Sequence, residues 1–381
     1  MVVMSPSAVI EAVRRIDQFV PSFVKHDAIS NHVQQVRRLL RSAGYSSDIY
    51  YEHLDPRLDG EARPFVECDP RPDPERLILY HASTQSDMTD WLVGSARGGQ
   101  ALALDYHNIT PSEYFARWEP LAARSMDLAR RQLRELVPWA ALAVADSAYN
   151  ASELAAMGHT RTEVCPLLLD LEELHRTPAA DTAARLAGRR TGPLWLFVGR
   201  VAPNKCQHDI IAAFAVYRRL YQPGARLAIL GGATSARYLL SLQAMAEELE
   251  LGDSVEFVGS AGFAEMLAYF AAADAFVCLS EHEGFCVPLI EAMETGVPVV
   301  AYRSSAVTET VASAGILLDD KDPLAVAAAV EALLSDDERR RAAVAAGRNR
   351  ALDFSMSRTG PQWLAELERS GGPSPDFVAR A

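Results

Sequence analysis

The sequence predicts an α/β fold built from two Rossmann-like, doubly wound parallel-sheet domains. Three observations carry this. The chain has 381 residues, a length that suits two domains. Short apolar runs recur along it, and polar residues and a helical stretch follow each one. Strands alternating with helices in this way build a parallel sheet covered by helices. The composition agrees: 49% hydrophobic and 23% charged residues exclude a disordered or collagen-like chain. The formal net charge is −13, so the basic face of a nucleic-acid binder is not expected. A few local cations can still hold an anionic ligand against that background.

In the first half, strands are expected at Arg14–Val20, Asp48–Tyr51, Leu77–His81, Leu102–Tyr106 and Ala141–Ala145. The spacing of Val33, Val36, Leu39, Leu40 and Ala43 predicts a helix over 30–44, with Ser30 as N-cap and Gly44 closing it. Ligands of open parallel sheets bind beyond the carboxyl ends of the strands. Two of these ends carry histidine, His81 and His107.

Around 176–192 the chain turns polar and rich in Ala, Pro and Gly, so 179–192 is read as a linker between domains 1–178 and 193–355. Beyond it, strands are expected at Leu194–Val198, Arg226–Leu230, Val255–Val258, Ala275–Leu279, Val297–Tyr302 and Ile316–Leu318. Helices are expected near 206–221, 236–250, 263–273, 288–295, 307–313 and 323–335.

This half has neither a GxGxxG fingerprint nor a P-loop, which argues against a dehydrogenase and a P-loop NTPase. Instead Gly199-Arg200 ends the first strand, and Lys205, one of only three lysines, stands at the next helix start. Two cations beside a helix N-terminus suit a diphosphate. Gly231-Gly232 follows the second strand, where paired glycines allow a ligand close to the backbone. The fourth strand runs into Ser280-Glu281-His282-Glu283-Gly284-Phe285-Cys286-Val287-Pro288-Leu289-Ile290-Glu291. Gly284 permits a sharp turn, and Pro288 suits a helix's first turn. Glu283 and Glu291 are carboxylates held apart, able to accept pairs of sugar hydroxyls.

Taken together, Glu283-GFCVPLI-Glu291 with the upstream Gly199-Arg200 and Lys205 resembles the retaining GT-B glycosyltransferases of family 4. The resemblance implies two Rossmann-like domains facing a cleft, the first binding the acceptor and the second the donor. It implies that Arg200 and Lys205 hold a nucleotide diphosphate and that Glu283 contacts sugar hydroxyls. Phe285, Cys286 and Val287 would offer backbone amides beside Gly284, and Glu291 would hold the ribose. Val258 and Gly259 would border the base, with Gly199, Gly231 and Gly232 close to the nucleotide. His107 matches the family's strand-end histidine beside the donor sugar, although Asn108 follows it where an aspartate is common. The first N-terminal loop, Lys25–Asn31, lacks the family's usual glycine pair. The segment 356–381 would return to the first domain.

The implied reaction moves a hexose from GDP-mannose, UDP-glucose or UDP-N-acetylglucosamine to a glycan, glycolipid or small-molecule hydroxyl. It needs no metal and no cofactor. The acidic run Asp319-Asp320-Lys321-Asp322 reads as a surface turn. Alternatives are a sugar-nucleotide epimerase, a phosphorylase, a glycosidase, or a non-catalytic relative that binds nucleotide sugar. The five cysteines show no CxxC spacing and suit free, mostly buried thiols in a reducing cytosol. No transmembrane run or secretory signal is read from the sequence. A cytoplasmic protein is expected, with peripheral contact at the inner membrane face as one option and no nucleic-acid partner.

Overall fold

The computed structural model describes residues 13–25 and 27–370. The chain divides into two compact units. Among the described residues, the first comprises those up to Ser112, Leu121–Leu169 and 354–370; the second comprises Glu113–Pro120 and Asp170–Asp353.

The first unit is built on seven strands: β1 (Arg15–Phe23), β2 (Ile49–Leu54), β3 (Arg63–Pro64), β4 (Arg76–Ala82), β5 (Ala101–Tyr106), β6 (Leu142–Ala145) and β7 (Thr162–Val164). They pair in the order β3-β2-β1-β4-β5-β6-β7, and every pairing is parallel. Helices on both faces bury the central strands, which is why β4, β5 and β6 read as apolar runs rather than alternating ones. Polar residues of the central strands, Asp17 and Gln18 in β1, Arg76 and His81 in β4 and Asp105 in β5, are buried too. Helix Ala28–Ser42 starts two residues before the expected position. Its N-cap is Asp27, whose carboxylate accepts from Ser30 N–H, while Ser30 Oγ accepts from Val24 N–H. His26, in the same loop, lies outside the described residues.

Helix Met356–Ser370 belongs to this unit. Its Trp363 is fully buried in a cluster with Val36, Leu40, Leu79 and Val144. Residues 371–381 lie outside the described residues.

The second unit carries β8 (Leu194–Val198), β9 (Arg226–Leu230), β10 (Val255–Gly259), β11 (Ala275–Cys278), β12 (Val299–Tyr302) and β13 (Ile316–Leu318), in the order β10-β9-β8-β11-β12-β13, again all parallel. Trp195 of β8 anchors the core with Phe214 and Tyr217 of helix Gln207–Leu220, at ring separations of 5.5 and 4.8 Å. Such pairs contribute about 0.5–1.5 kcal/mol beyond their burial. The stretch read as a linker contains helix Ala180–Gly188, which packs on helix Phe263–Ala272; Arg185 fixes it through Glu256 and the Tyr269 hydroxyl, each at 2.7 Å. Residues Glu113–Pro120 also join this unit. Their Trp118 meets the Tyr238 ring edge-on at 5.0 Å, and Tyr114 lies 6.0 Å from the His282 ring.

Candidate functional site

In the second unit the strand ends are bound together by their loops. Gly199 N–H donates to Leu230 C=O, Val201 N–H to Gly232 C=O, and Gly231 N–H to Gly259 C=O, all at 2.9 Å. Gly231 has φ +145°, and a Cβ there would stand 2.0 Å from the Gly199 carbonyl oxygen. At Gly232 an added Cβ would come within 2.8 Å of Ser260 Oγ. These glycines are needed because loop packs on loop, a tighter demand than the ligand approach expected of them. Val258 and Gly259 end β10 alongside, and Gly259 has φ +76° with open space around it.

The loop after β8 and the loop after β11 are sewn together by one residue. Asn204 Nδ2 donates to His282 C=O at 3.0 Å, and Glu281 N–H donates to Asn204 C=O at 2.9 Å. This brings Lys205 to Glu283, and the two form an ion pair in which both side chains are largely buried. Glu283 is held at both backbone groups: its N–H donates to Ser305 Oγ at 2.8 Å and its C=O accepts from Ala306 N–H at 3.3 Å. Arg200, on the same loop as Lys205, is exposed, and its guanidinium makes no hydrogen bond or ion pair among the described residues.

Gly284 and Phe285 lead to Cys286, the N-cap of helix Val287–Thr295, with left-handed backbone at φ +70°. The expectation placed the turn's freedom on Gly284; Cys286 carries a left-handed conformation here. Cys206 does the same ahead of helix Gln207–Leu220, at φ +52°. The Cys286 and Val287 N–H groups make no hydrogen bond among the described residues, which leaves two donors at a helix start with Pro288 in its first turn. Such donors suit an anion. Glu291, one turn in, is half-buried, and its carboxylate has no partner among the described residues. Loss of hydration pushes its pKa up to about 7.

The acidic run forms a structural turn. Asp320 accepts from Asp322 N–H, Asp322 caps helix Pro323–Leu334, and Lys321 Nζ donates to Glu281 at 2.6 Å.

The first unit gathers a second polar group, of which the sequence singled out only His81 and His107. His32 Nε2, His81 Nδ1 and His107 Nε2 stand 2.9, 3.2 and 3.4 Å from Asp105 Oδ2. His107 Nδ1 is 3.0 Å from Asp146, so two carboxylates serve it although Asn108 follows it. The side chains of all five residues are at most 3% exposed.

Hydrogen bonding assigns the protons. Leu168 N–H donates to His32 Nδ1 at 2.8 Å, so His32 carries its proton on Nε2 and donates to Asp105. His81 Nε2 donates to Gln18 Oε1 at 3.0 Å, which leaves Nδ1 as an acceptor for His107 Nε2–H, also at 3.0 Å. His107 therefore donates from both nitrogens, as an imidazolium. Burial opposes that charge, but Asp105 and Asp146 outweigh it and raise the pKa to about 9. Burial takes His81 down to about 4.

Three imidazoles and a carboxylate also form a donor set of metal-binding type. Their directions do not suit one. The His81 and His107 rings lie within 6° of parallel with centroids 5.3 Å apart, the arrangement of two rings meeting edge to edge with nitrogens facing along the N···N line. A metal needs those lone pairs to converge beside that line. His32 also accepts at the nitrogen that a metal-bound histidine would use to donate.

Comparison with known proteins gives the fold a context. Residues 182–350 match the family described as "Glycosyl transferases group 1". The chain is 35% identical over 202 residues to a GDP-mannose-dependent alpha-(1-6)-phosphatidylinositol monomannoside mannosyltransferase of Mycolicibacterium smegmatis, covering 50% of this chain and 52% of that protein. It is 31% identical over 221 residues to a D-inositol 3-phosphate glycosyltransferase of Frankia alni, covering 56% and 54%. The chain spans about half the length of the curated relatives it matches.

Among solved structures, the Anabaena protein Alr3699/HepE in complex with UDP and glucose superposes with TM-score 0.71 at 17% identity, over 93% of this chain and all of that one. Sucrose-phosphate synthase from Thermosynechococcus elongatus gives 0.70 at 20% identity, over 97% of this chain and all of that one. These likenesses show the fold: two Rossmann-like parallel-sheet units in one chain, the GT-B class. Among the described residues no helix is long and apolar enough to cross a membrane.

Proposed function

We propose, from the match of residues 182–350 to the family described as "Glycosyl transferases group 1", that this chain is a glycosyltransferase. It takes a hexosyl group from a nucleotide-diphosphate sugar and gives it to a hydroxyl of a glycan, glycolipid or small polar acceptor. GDP-mannose is the leading donor on the relatives' named activity, with UDP-glucose and UDP-N-acetylglucosamine next. The observation that carries this reading is the pattern of unmet polar groups in the second unit. Among the described residues, the Arg200 guanidinium and the Cys286 N–H on strand-end loops, and the Val287 N–H and the half-buried Glu291 carboxylate on the helix that follows, have no partner, and Asn204 sews the two loops together. Buried or half-buried polar groups are ordinarily satisfied. This set matches a diphosphate joined to a ribose.

In the reaction the bond from the anomeric carbon to the diphosphate oxygen breaks and one to the acceptor oxygen forms. Negative charge grows on the leaving phosphate. Arg200, Lys205 and the helix start stabilise it as preorganised donors, with no metal needed. The Lys205–Glu283 pair places a carboxylate for the sugar hydroxyls beside an ammonium for the phosphate. Retention follows if the acceptor attacks on the face the phosphate leaves, passing its proton to that phosphate. His107 serves as a fixed positive charge at the end of β5, because neither ring nitrogen is left to take a proton.

A thermal-shift panel of nucleoside diphosphates and nucleotide sugars tests the reading. Ligand at 100 times its Kd stabilises the native state by about 2.7 kcal/mol. GDP or UDP should raise the melting temperature, and Arg200→Ala should lose most of the shift. If no nucleotide shifts the wild-type protein, the reading fails.

A further inference from the structure

The two ends of the loop after β11 carry thiols with no part in the proposed transfer. Cys278 ends β11 and is 1% exposed; Cys286, eight residues on, is half-buried at the helix N-cap. Their sulfurs and a carboxylate oxygen of Glu283 lie within 4.8 Å of one another, and both thiols are free. The Cys278 S–H donates to Ser280 Oγ at 3.4 Å. The neighbouring Cys286 lowers the Cys278 pKa against the effect of its burial. Cys278 beside it, burial and the Glu283 carboxylate hold the Cys286 thiol well above its ordinary pKa, and the Lys205 ammonium opposes them. Two free thiols this close, one fully buried and one half-buried at a helix start, form a dithiol that an oxidant can close.

We infer that Cys278 and Cys286 are an oxidisable pair, and that closing their disulfide shuts the nucleotide-sugar site. A peroxide oxidises Cys286 to the sulfenic acid, releasing one water. Cys278 then attacks that sulfur: the S–S bond forms, the S–O bond breaks, and the departing hydroxide leaves as a second water with the remaining thiol proton. Two electrons pass from the thiols to the peroxide. A disulfide holds its sulfurs at about 2.05 Å with a defined torsion. Cys286 sits in left-handed backbone, so drawing its Sγ toward β11 turns the peptide groups whose N–H atoms face the phosphate. The second half of this inference rests on the donor-site reading; the first half does not.

The test uses the full chain, fully reduced and then treated with hydrogen peroxide. Peptide mass spectrometry should find the Cys278–Cys286 cross-link, with Cys68, Cys165 and Cys206 still reduced. GDP and UDP binding should weaken at least tenfold and return with dithiothreitol. Cys278→Ser should bind nucleotide as the reduced wild type does and keep that affinity for as long as its Cys286 is no further oxidised than the sulfenic acid. Cys278→Ala stands in if the serine variant folds poorly. Oxidation of Cys286 to the sulfinic acid without a cross-link overturns the pair. A cross-link that leaves nucleotide affinity unchanged overturns the switch. If the reduced protein binds no nucleotide, the donor reading and the switch fail together, while the mass spectrum still decides whether the pair exists.

Discussion

The histidine–aspartate group of the first unit and the strand-end loops of the second unit are both rich in charge at the carboxyl ends of parallel strands, yet they differ in one respect. In the first, nearly every donor and acceptor has found a partner inside the unit; Asp105 Oδ1 is the one carboxylate atom of the group recorded without a hydrogen bond. In the second, Arg200, Glu291 and two N–H groups have none among the described residues. A network that closes on itself contributes to stability and to the shape of a strand end. Groups left open after folding are the ones available to a ligand. Residue type alone does not separate the two cases; the hydrogen-bond ledger does.

The largest effect should come from opening the closed network. Asp105→Asn removes the charge that faces three imidazoles and should destabilise the protein by about 3–5 kcal/mol, read from the urea midpoint. The variant, where folded, should still bind nucleotide. A loss below about 1 kcal/mol would mean that the network is not the closed, high-stakes structure described.

Next in size are the open cations. Arg200→Ala should lower kcat/KM about 10–100-fold, since one charge-assisted hydrogen bond contributes about 1.5–3 kcal/mol. Its unfolding free energy should stay within about 0.5 kcal/mol of wild type, as for an exposed side chain without partners among the described residues. Lys205→Ala should match it in rate and also destabilise, because Glu283 is left buried and unpaired. Equal stability losses in the two variants would erase the distinction between them.

The smallest effect concerns Glu291. Its folded pKa, about 7, lies above the ordinary carboxyl range. The folded state therefore binds this proton more tightly than the unfolded one, and the associated stability is present below about pH 4.5 and fades as pH rises through about 7. Glu291→Gln should be more stable than wild type at about pH 8, with the difference gone by about pH 4.5. Nucleotide affinity of the wild type should rise over the same interval as the carboxylate ionises to accept ribose hydroxyls, and the glutamine variant should show a flat profile in isothermal titration.

Much of the fold was legible because buried parallel strands are apolar on both faces. β8, β9 and β13 begin and end where the apolar runs do. Helix Asp337–Ala351 escaped the reading because arginines and alanines surround it and leave no apolar stripe. β3 and β7, at two and three residues, are too short for periodicity to register. Ser30 and Asp27 are both residues that cap helices, and the apolar spacing does not choose between them; in the structure Asp27 accepts from Ser30 N–H. The second unit's charged candidate residues lie close in sequence, within the loop after β8 and around the turn into helix Val287–Thr295, so a local motif could point to them. The first-unit network has no such motif, since His32 meets Asp105 across 73 residues and His107 meets Asp146 across 39. One signal was present: Asp17, Gln18 and Asp105 interrupt strands that must be buried on both faces, and such residues need partners from elsewhere in the chain.

The short excursion Glu113–Pro120 has a consequence for anyone dividing this protein. Its tryptophan completes the aromatic contact on Tyr238 but is encoded some fifty residues ahead of the unit it finishes. A gene cut at the obvious boundary after Leu169 would separate Trp118 from its seat, so a fragment starting at Asp170 should expose an apolar scar, and supplying residues 113–120 as a peptide should cover it.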